Sequence, residues 1–316
     1  MPSVEYELVP VAAPRKAKDP APELRYQVPD EEMARAVERW QTPARELQTA
    51  VLAMYEPGAL SSVGVREHPS SMAEQIATAL RTAVKAEGCL INSGGVRAKK
   101  LYTDGQVTYA DLSMECPFPS SNVVVPIPGS VLREAVRVSR EAWDRGEADA
   151  SAFQLDKDMA TDAESGLLVQ VDGKPLEEER EYAILVDKYM VGVNSALAAY
   201  AAECPGKIPP DDAGRPVLPL LVDYFCGEAW KALTDKDGSG AVDDAEVDAF
   251  FDEADADHNG MLDQEEIFRA LQARLKGMAS NVLAQQMITL ADFDADGKVS
   301  REELRKCLTE RAEEMI

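Results

Sequence analysis

Asp255-Ala256-Asp257-His258-Asn259-Gly260-Met261-Leu262-Asp263-Gln264-Glu265-Glu266 is the stretch on which the fold of the C-terminal third turns. Oxygen-bearing side chains stand at its first, third, fifth, ninth and twelfth places, glycine at the sixth and an apolar residue at the eighth. Short oxygens at alternate places bring their heads to one point once the chain bends, and the glycine allows the bend. A long carboxylate at the twelfth place can close that ring with two oxygens. The same spelling recurs at Asp292-Phe293-Asp294-Ala295-Asp296-Gly297-Lys298-Val299-Ser300 to Glu303, and at Asp235-Lys236-Asp237-Gly238-Ser239-Gly240-Ala241-Val242-Asp243 to Glu246.

A ring of six or more oxygens suits a hard divalent cation, and this spacing is that of the EF-hand calcium loop, in which the seventh place contributes a backbone carbonyl. The expected calcium ligands are therefore Asp235, Asp237, Ser239, Ala241 and Glu246 in loop one. In loop two they are Asp255, Asp257, Asn259, Met261 and Glu266, and in loop three Asp292, Asp294, Asp296, Lys298 and Glu303. Loops two and three start 37 residues apart, which leaves room for an outgoing helix over 263–275 and an incoming helix over 278–291. Loops one and two start only 20 residues apart, so residues 244–254 must serve both as a single helix. That sharing keeps loop one from facing loop two in the usual paired way.

Charge points to the same cation. The chain of 316 residues has a formal net charge of −24, and from Asp223 to its end it holds 23 acidic against 10 basic residues. Such a field disfavours nucleic acid and anionic membrane surfaces. The acidic segment still carries apolar residues at helical spacing, so bound cations rather than disorder resolve it, three of them offsetting about six charges. Five scattered cysteines without a CxxC pair argue against a disulfide framework or a zinc site. No apolar leader and no run long enough to span a bilayer is visible, so the chain as written reads as cytoplasmic.

Residues 1–29, rich in proline and charge, read as an extended lead-in. Helical periodicity follows over 30–55 and 71–87, with Ser70 or Ser71 as the cap of the second helix. The pattern then changes: a short apolar run over 88–95 ends in a glycine turn, further strand-like runs stand at 123–127, 167–171 and 182–186, and an amphipathic helix is expected over 131–143 with a turn at Asp172-Gly173. This predicts an α+β domain over 30–204, a mixed sheet with flanking helices. A proline-rich linker is expected over 205–220, followed by an all-α EF-hand domain over 221–316.

Within the α+β part, Asn92-Ser93-Gly94-Gly95-Val96-Arg97 resembles the NGGGIR turn of the C-terminal, substrate-binding domain of 5′-nucleotidases and UDP-sugar hydrolases. Gly105 to Leu112 resembles that domain's G-x-ITYGDL segment. Cys116-Pro117-Phe118, Phe153-Gln154-Leu155 and Val171-Asp172-Gly173-Lys174-Pro175-Leu176 follow in family order. The resemblance spans about residues 30–200 and implies a cleft for a nucleotide or other phosphate ester. By that resemblance Asn92, Gly94, Gly95, Arg97 and Phe118 are its substrate-binding residues. The turn would let backbone approach the ligand, Arg97 would pair with phosphate and Phe118 would stack on a base. The family's second stacking aromatic has no counterpart in Val191-Gly192-Val193-Asn194-Ser195-Ala196, and its arginine-containing segment corresponds to Arg66 to Ala73.

No catalytic residue is assigned. Two-metal phosphoesterases use several histidines and aspartates, and this chain has only His68 and His258, the latter inside loop two. The expected protein is thus a calcium-binding EF-hand protein carrying the substrate-binding part of a 5′-nucleotidase-like phosphohydrolase, with a metallophosphatase domain upstream or in trans. The alternative is a calcium-sensing or scaffold protein with a vestigial hydrolase domain.

Overall fold

The computed structural model describes residues 31–310, which fall into two units, one ending at Thr42 and one running on from Pro43. The lead-in expected over 1–29 lies outside the described residues. The helix α1 (Glu31–Thr49) stops short of the helix expected to reach residue 55, and β1 (Val51–Met54) takes its place. Valine at 51 favours the extended form, and β1 pairs antiparallel with β3 (Gln106–Thr108).

The α+β part then runs α2 (Ser71–Val84), β2 (Gly88–Asn92), β3, α3 (Tyr109–Glu115), β4 (Ser121–Pro128), α4 (Gly129–Ser139) and α5 (Glu141–Asp144). It continues through β5 (Phe153–Leu155), β6 (Ala160–Thr161), β7 (Leu168–Val171), β8 (Lys174–Pro175), β9 (Glu181–Asp187), α6 (Lys188–Val193), α7 (Ser195–Glu203) and β10 (Arg215–Pro216). Local chemistry sets the ends of α2: the Ser70 hydroxyl accepts the Ala73 amide, and Lys85 closes the helix in the left-handed region at φ 54°. The helix expected over 131–143 is two pieces, α4 and α5, interrupted at Arg140.

The main sheet has the order β10-β4-β9-β2-β5, with β2 and β9 parallel and the other pairs antiparallel. Alternation along the strands sorts side chains to its two faces. Val123, Val125, Ile127, Ile184, Val186, Leu90 and Phe153 meet α4 and α7 in one core. Cys89, Ile91 and Leu185 face the other way, into a core shared with α2. Each such fully buried aliphatic contributes roughly 1.5–3 kcal/mol.

The second core does not stop at the α+β part. Helix α8 (Val217–Thr234) starts inside the stretch expected as a linker, after β10 has joined the sheet edge at Ser121 and Asn122. Pro219 lies in its first turn, where the missing amide costs no helical hydrogen bond. Leu220, Leu221, Phe225, Cys226, Trp230 and Leu233 are all buried, joining α2 on one side to the EF-hand helices on the other in a single apolar cluster. Those are α9 (Asp244–Ala254), α10 (Gln264–Arg274), α11 (Asn281–Ala291) and α12 (Arg301–Arg305), with β11 (Met261–Leu262) and β12 (Val299–Ser300) between them. The Trp230 indole N–H donates to the Met287 carbonyl of α11 at 3.0 Å, and its ring meets Phe250 of α9 edge-on.

Candidate calcium loops and ligand cleft

Each loop is shaped by the side chains expected to hold its ion. The first aspartate accepts two backbone amides: Asp235 takes Gly238 and Gly240 at 2.7 and 2.8 Å, and Asp255 takes Asn259 and Gly260 at 3.1 and 2.9 Å. Asp292 takes Asp296 and Gly297 at 3.1 and 2.8 Å. The sixth-place glycines Gly240, Gly260 and Gly297 have φ of 78°, 82° and 86°, where a side chain would be strained. The ninth and twelfth residues form a capping box on the outgoing helix in every loop: Asp243 with Glu246, Asp263 with Glu266, Ser300 with Glu303. The glutamate that closes the ring is therefore already held by the start of its helix.

Carboxylate oxygens of Asp235, Asp237 and Glu246 lie within 4.8 Å of one another, as do those of Asp255, Asp257 and Glu266, and those of Asp292, Asp294 and Asp296. Oxygens at about 2.3–2.6 Å from one ion can be up to about 5 Å apart, so each set fits a single calcium. The donor set is oxygen only, which suits calcium rather than zinc. Ser239 in loop one bonds the Ala241 carbonyl at 2.8 Å, bringing two further expected ligands together. Asn259 sits beside Asp257, its amide nitrogen 2.7 Å from that carboxylate, while Met261 and Lys298 are the seventh-place residues. Glu303 accepts the amides of Phe293, Asp294 and Ser300 at 2.9, 3.3 and 2.8 Å. In loop three a hydrogen bond from the Asp296 amide lowers the Asp294 pKa, but slight desolvation and the charges of Asp296, Glu303 and Asp292 outweigh it and leave the carboxyl raised. A cation there relieves that repulsion.

The loops differ in their backing. Loops two and three meet through β11 and β12, with Met261 opposite Ser300 and Leu262 opposite Val299, the two apolar side chains wholly buried. The corresponding Val242 of loop one is half-buried and belongs to no β-pair among the described residues. Helix α9 is shared by loops one and two, as their spacing required.

The cleft residues also converge. Asn92, Gly94, Gly95, Arg97 and Phe118 line one cavity of about 510 Å³, together with Arg66, Ser120, Asp187 and Tyr189. That volume suits a small organic ligand. Phe118 is 50% exposed and Tyr189 68% exposed, so both rings face solvent at the cavity. Arg97 lies over the Phe118 ring at 5.5 Å. Buried Gln154 ties the walls together, accepting the Ser70 amide and donating to the Val65 and His68 carbonyls and to the Ser93 hydroxyl. Gly94 has a more specific reason than ligand approach: its amide donates to the Ala150 carbonyl at 2.7 Å, and a Cβ would meet that oxygen at 2.9 Å.

Tyr189 escaped the sequence reading. The resemblance places the second aromatic within 191–196, whereas Tyr189 stands in the first turn of α6, two residues before Val191. Asp187 caps that helix by accepting the Tyr189 amide at 3.0 Å. The Asp-x-Tyr directly after a β-branched run was the available signal. Burial pushes the nearby Cys116 thiol up to about 12. His68 is exposed, with Nδ1 2.9 Å from the Pro69 carbonyl. Among the described residues, the groupings of three metal-ligating side chains are those of the three loops.

Paired helix–loop–helix units with convergent carboxylates define a calcium-binding protein of the EF-hand class. Residues 247–309 match the EF-hand domain pair family, and residues 49–200 match the 5′-nucleotidase C-terminal domain family. The protein is thus a calcium-binding EF-hand protein that carries a 5′-nucleotidase C-terminal domain. Over 58 residues it is 38% identical to a 15 kDa calcium-binding protein of Hemicentrotus pulcherrimus, covering 18% of this chain and 39% of that relative. Among solved structures it is similar to the NAD nucleotidase of Haemophilus influenzae, at 16% identity and a TM-score of 0.43, over 60% of this chain and 36% of the other. It is also similar to a 5′-nucleotidase precursor from Thermus thermophilus, at 18% identity and a TM-score of 0.43, over 62% and 40% of the two chains. The chain therefore spans well under half the length of each of these relatives. Among the described residues, no helix is long and apolar enough to cross a membrane.

Proposed function

We propose that the cleft binds a nucleotide or related phosphate ester, and that all three loops hold calcium through the ligands named above. The observation that carries the cleft reading is the pair of exposed rings, Phe118 and Tyr189, at one cavity with Arg97 and Arg66. Aromatic faces suit a base and guanidinium groups suit phosphate. Catalysis would come from a metallophosphatase domain, upstream or in trans, with this part orienting the substrate. The five free cysteines support a reducing compartment such as the cytoplasm.

Calorimetric titration with AMP tests the reading. Stacking on one ring is worth about 1–3 kcal/mol, so Phe118→Ala and Tyr189→Ala should each weaken AMP about fivefold or more. Absence of AMP and UDP-sugar binding to the wild-type chain would instead mark a calcium-binding scaffold with a retired cleft.

A further inference from the structure

Helix α8 touches both functional regions. Just before it, β10 forms the sheet edge beside the cleft, where Asn122 donates a side-chain hydrogen bond to the Arg215 carbonyl at 3.3 Å. Its first residue, Val217, lines a narrow apolar recess with Ile76, Leu80, Asn92, Gly95 and Phe118. At its other end, about 27 Å away by helical rise, Thr234 is wholly buried and Asp235 is the first carboxylate of loop one. Between these ends the helix is gripped on both sides. Ile76, Leu80 and the rest of α2 pack on one flank, and α9 and α11 pack on the other. Arg274 at the end of α10 donates to the Leu233 carbonyl, and Trp230 donates to Met287 of α11.

A helix buried along its length moves as a stiff body, because close-packed interiors transmit displacement rather than absorb it. Calcium held between Asp235, Asp237 and Glu246, whose oxygens already lie within 4.8 Å of one another, would fix the C-terminal end of α8. The N-terminal end is continuous with the cleft's edge strand and its apolar floor. We propose that α8 is a coupling rod, through which calcium in the 235–246 loop and a phosphate ester in the cleft raise each other's affinity. Among the described residues loop one has no β-partner, which fits this role, since its first carboxylate continues directly from α8. The inference rests on the cleft reading above for its ligand, and the coupling is reciprocal by linkage.

The test is calorimetry of AMP binding to the full chain, in saturating calcium and in chelator, with hydrogen exchange measured alongside. Calcium should tighten AMP at least about fivefold, and Glu246→Gln should abolish that gain. Equal AMP affinity in calcium and chelator, or a gain that persists in Glu246→Gln, overturns the coupling and leaves the cleft reading intact. Failure of AMP to bind in either condition overturns the cleft reading, and hydrogen exchange then decides the coupling alone. Calcium should protect the backbone amides of Phe118, Ser120, Ser121 and Asn122 and of Arg215 and Val217 in the wild type and not in Glu246→Gln. Protection confined to the calcium loops overturns it.

Discussion

Loop one and the pair formed by loops two and three carry nearly the same ligand spelling, yet the protein supports them in different ways. In the pair, Leu262 and Val299 are buried against each other across a two-residue ladder. In loop one, Val242 is half-buried and Asp235 is the cap of a helix that reaches back to the cleft. Ligand chemistry fixes what a loop can bind, whereas the packing behind its eighth residue fixes what the binding is felt by. The pair is joined across its own ladder, while loop one continues directly from α8.

The largest expected effect separates the two arrangements. Leu262→Asp places a charge at a wholly buried position and should cost at least about 3 kcal/mol, measured by urea unfolding. The matching change in loop one, Val242→Asp, should cost less, about 1–2 kcal/mol, because that side chain is only partly buried where it packs against the apolar cluster. Equal losses would mean that the ladder is not what distinguishes the loops. Removing calcium comes next. A loop saturated at a hundred times its Kd stabilises the fold by about 2.7 kcal/mol, so chelator should lower Tm. Glu246→Gln should leave most of that chelator effect in place. The smallest effect concerns the fourth place of the loops, where His258 and Ala295 adopt left-handed backbone at φ 56° and 62°, while loop one has Gly238 there. Ala295→Gly should gain about 0.5 kcal/mol, left-handed strain slightly exceeding the entropy of glycine.

The calcium sites were legible in the sequence because their geometry is local. Twelve consecutive residues supply ligands, turn and helix cap, and nothing distant is needed to bring Asp255 to Glu266. The strands starting near residues 88, 123 and 182 were legible as short apolar runs, and Asn92, Arg97 and Phe118 do line one cavity. What escaped depends on tertiary context. Residues 51–54 continue a helical pattern, and their extended form is set by pairing with β3, more than fifty residues on. The prolines near Val217 read as a linker, although Pro216 ends an edge strand and Pro219 sits harmlessly in a first helical turn. The burial of α8 on two flanks comes from α2 on one side and α9 and α11 on the other, which no local pattern announces. Tyr189 belongs to the same class, since its place at the cavity follows from how β9 ends beside the Asn92 turn.

Calcium stoichiometry tests the account most directly, measured by calorimetry on the wild type and on Glu266→Gln/Glu303→Gln. Losing a bidentate carboxylate should weaken each altered loop on the order of a hundredfold. The double variant should therefore lose the ions of loops two and three and keep that of loop one. Unchanged stoichiometry and affinity in the double variant would contradict the assignment of calcium to the paired loops.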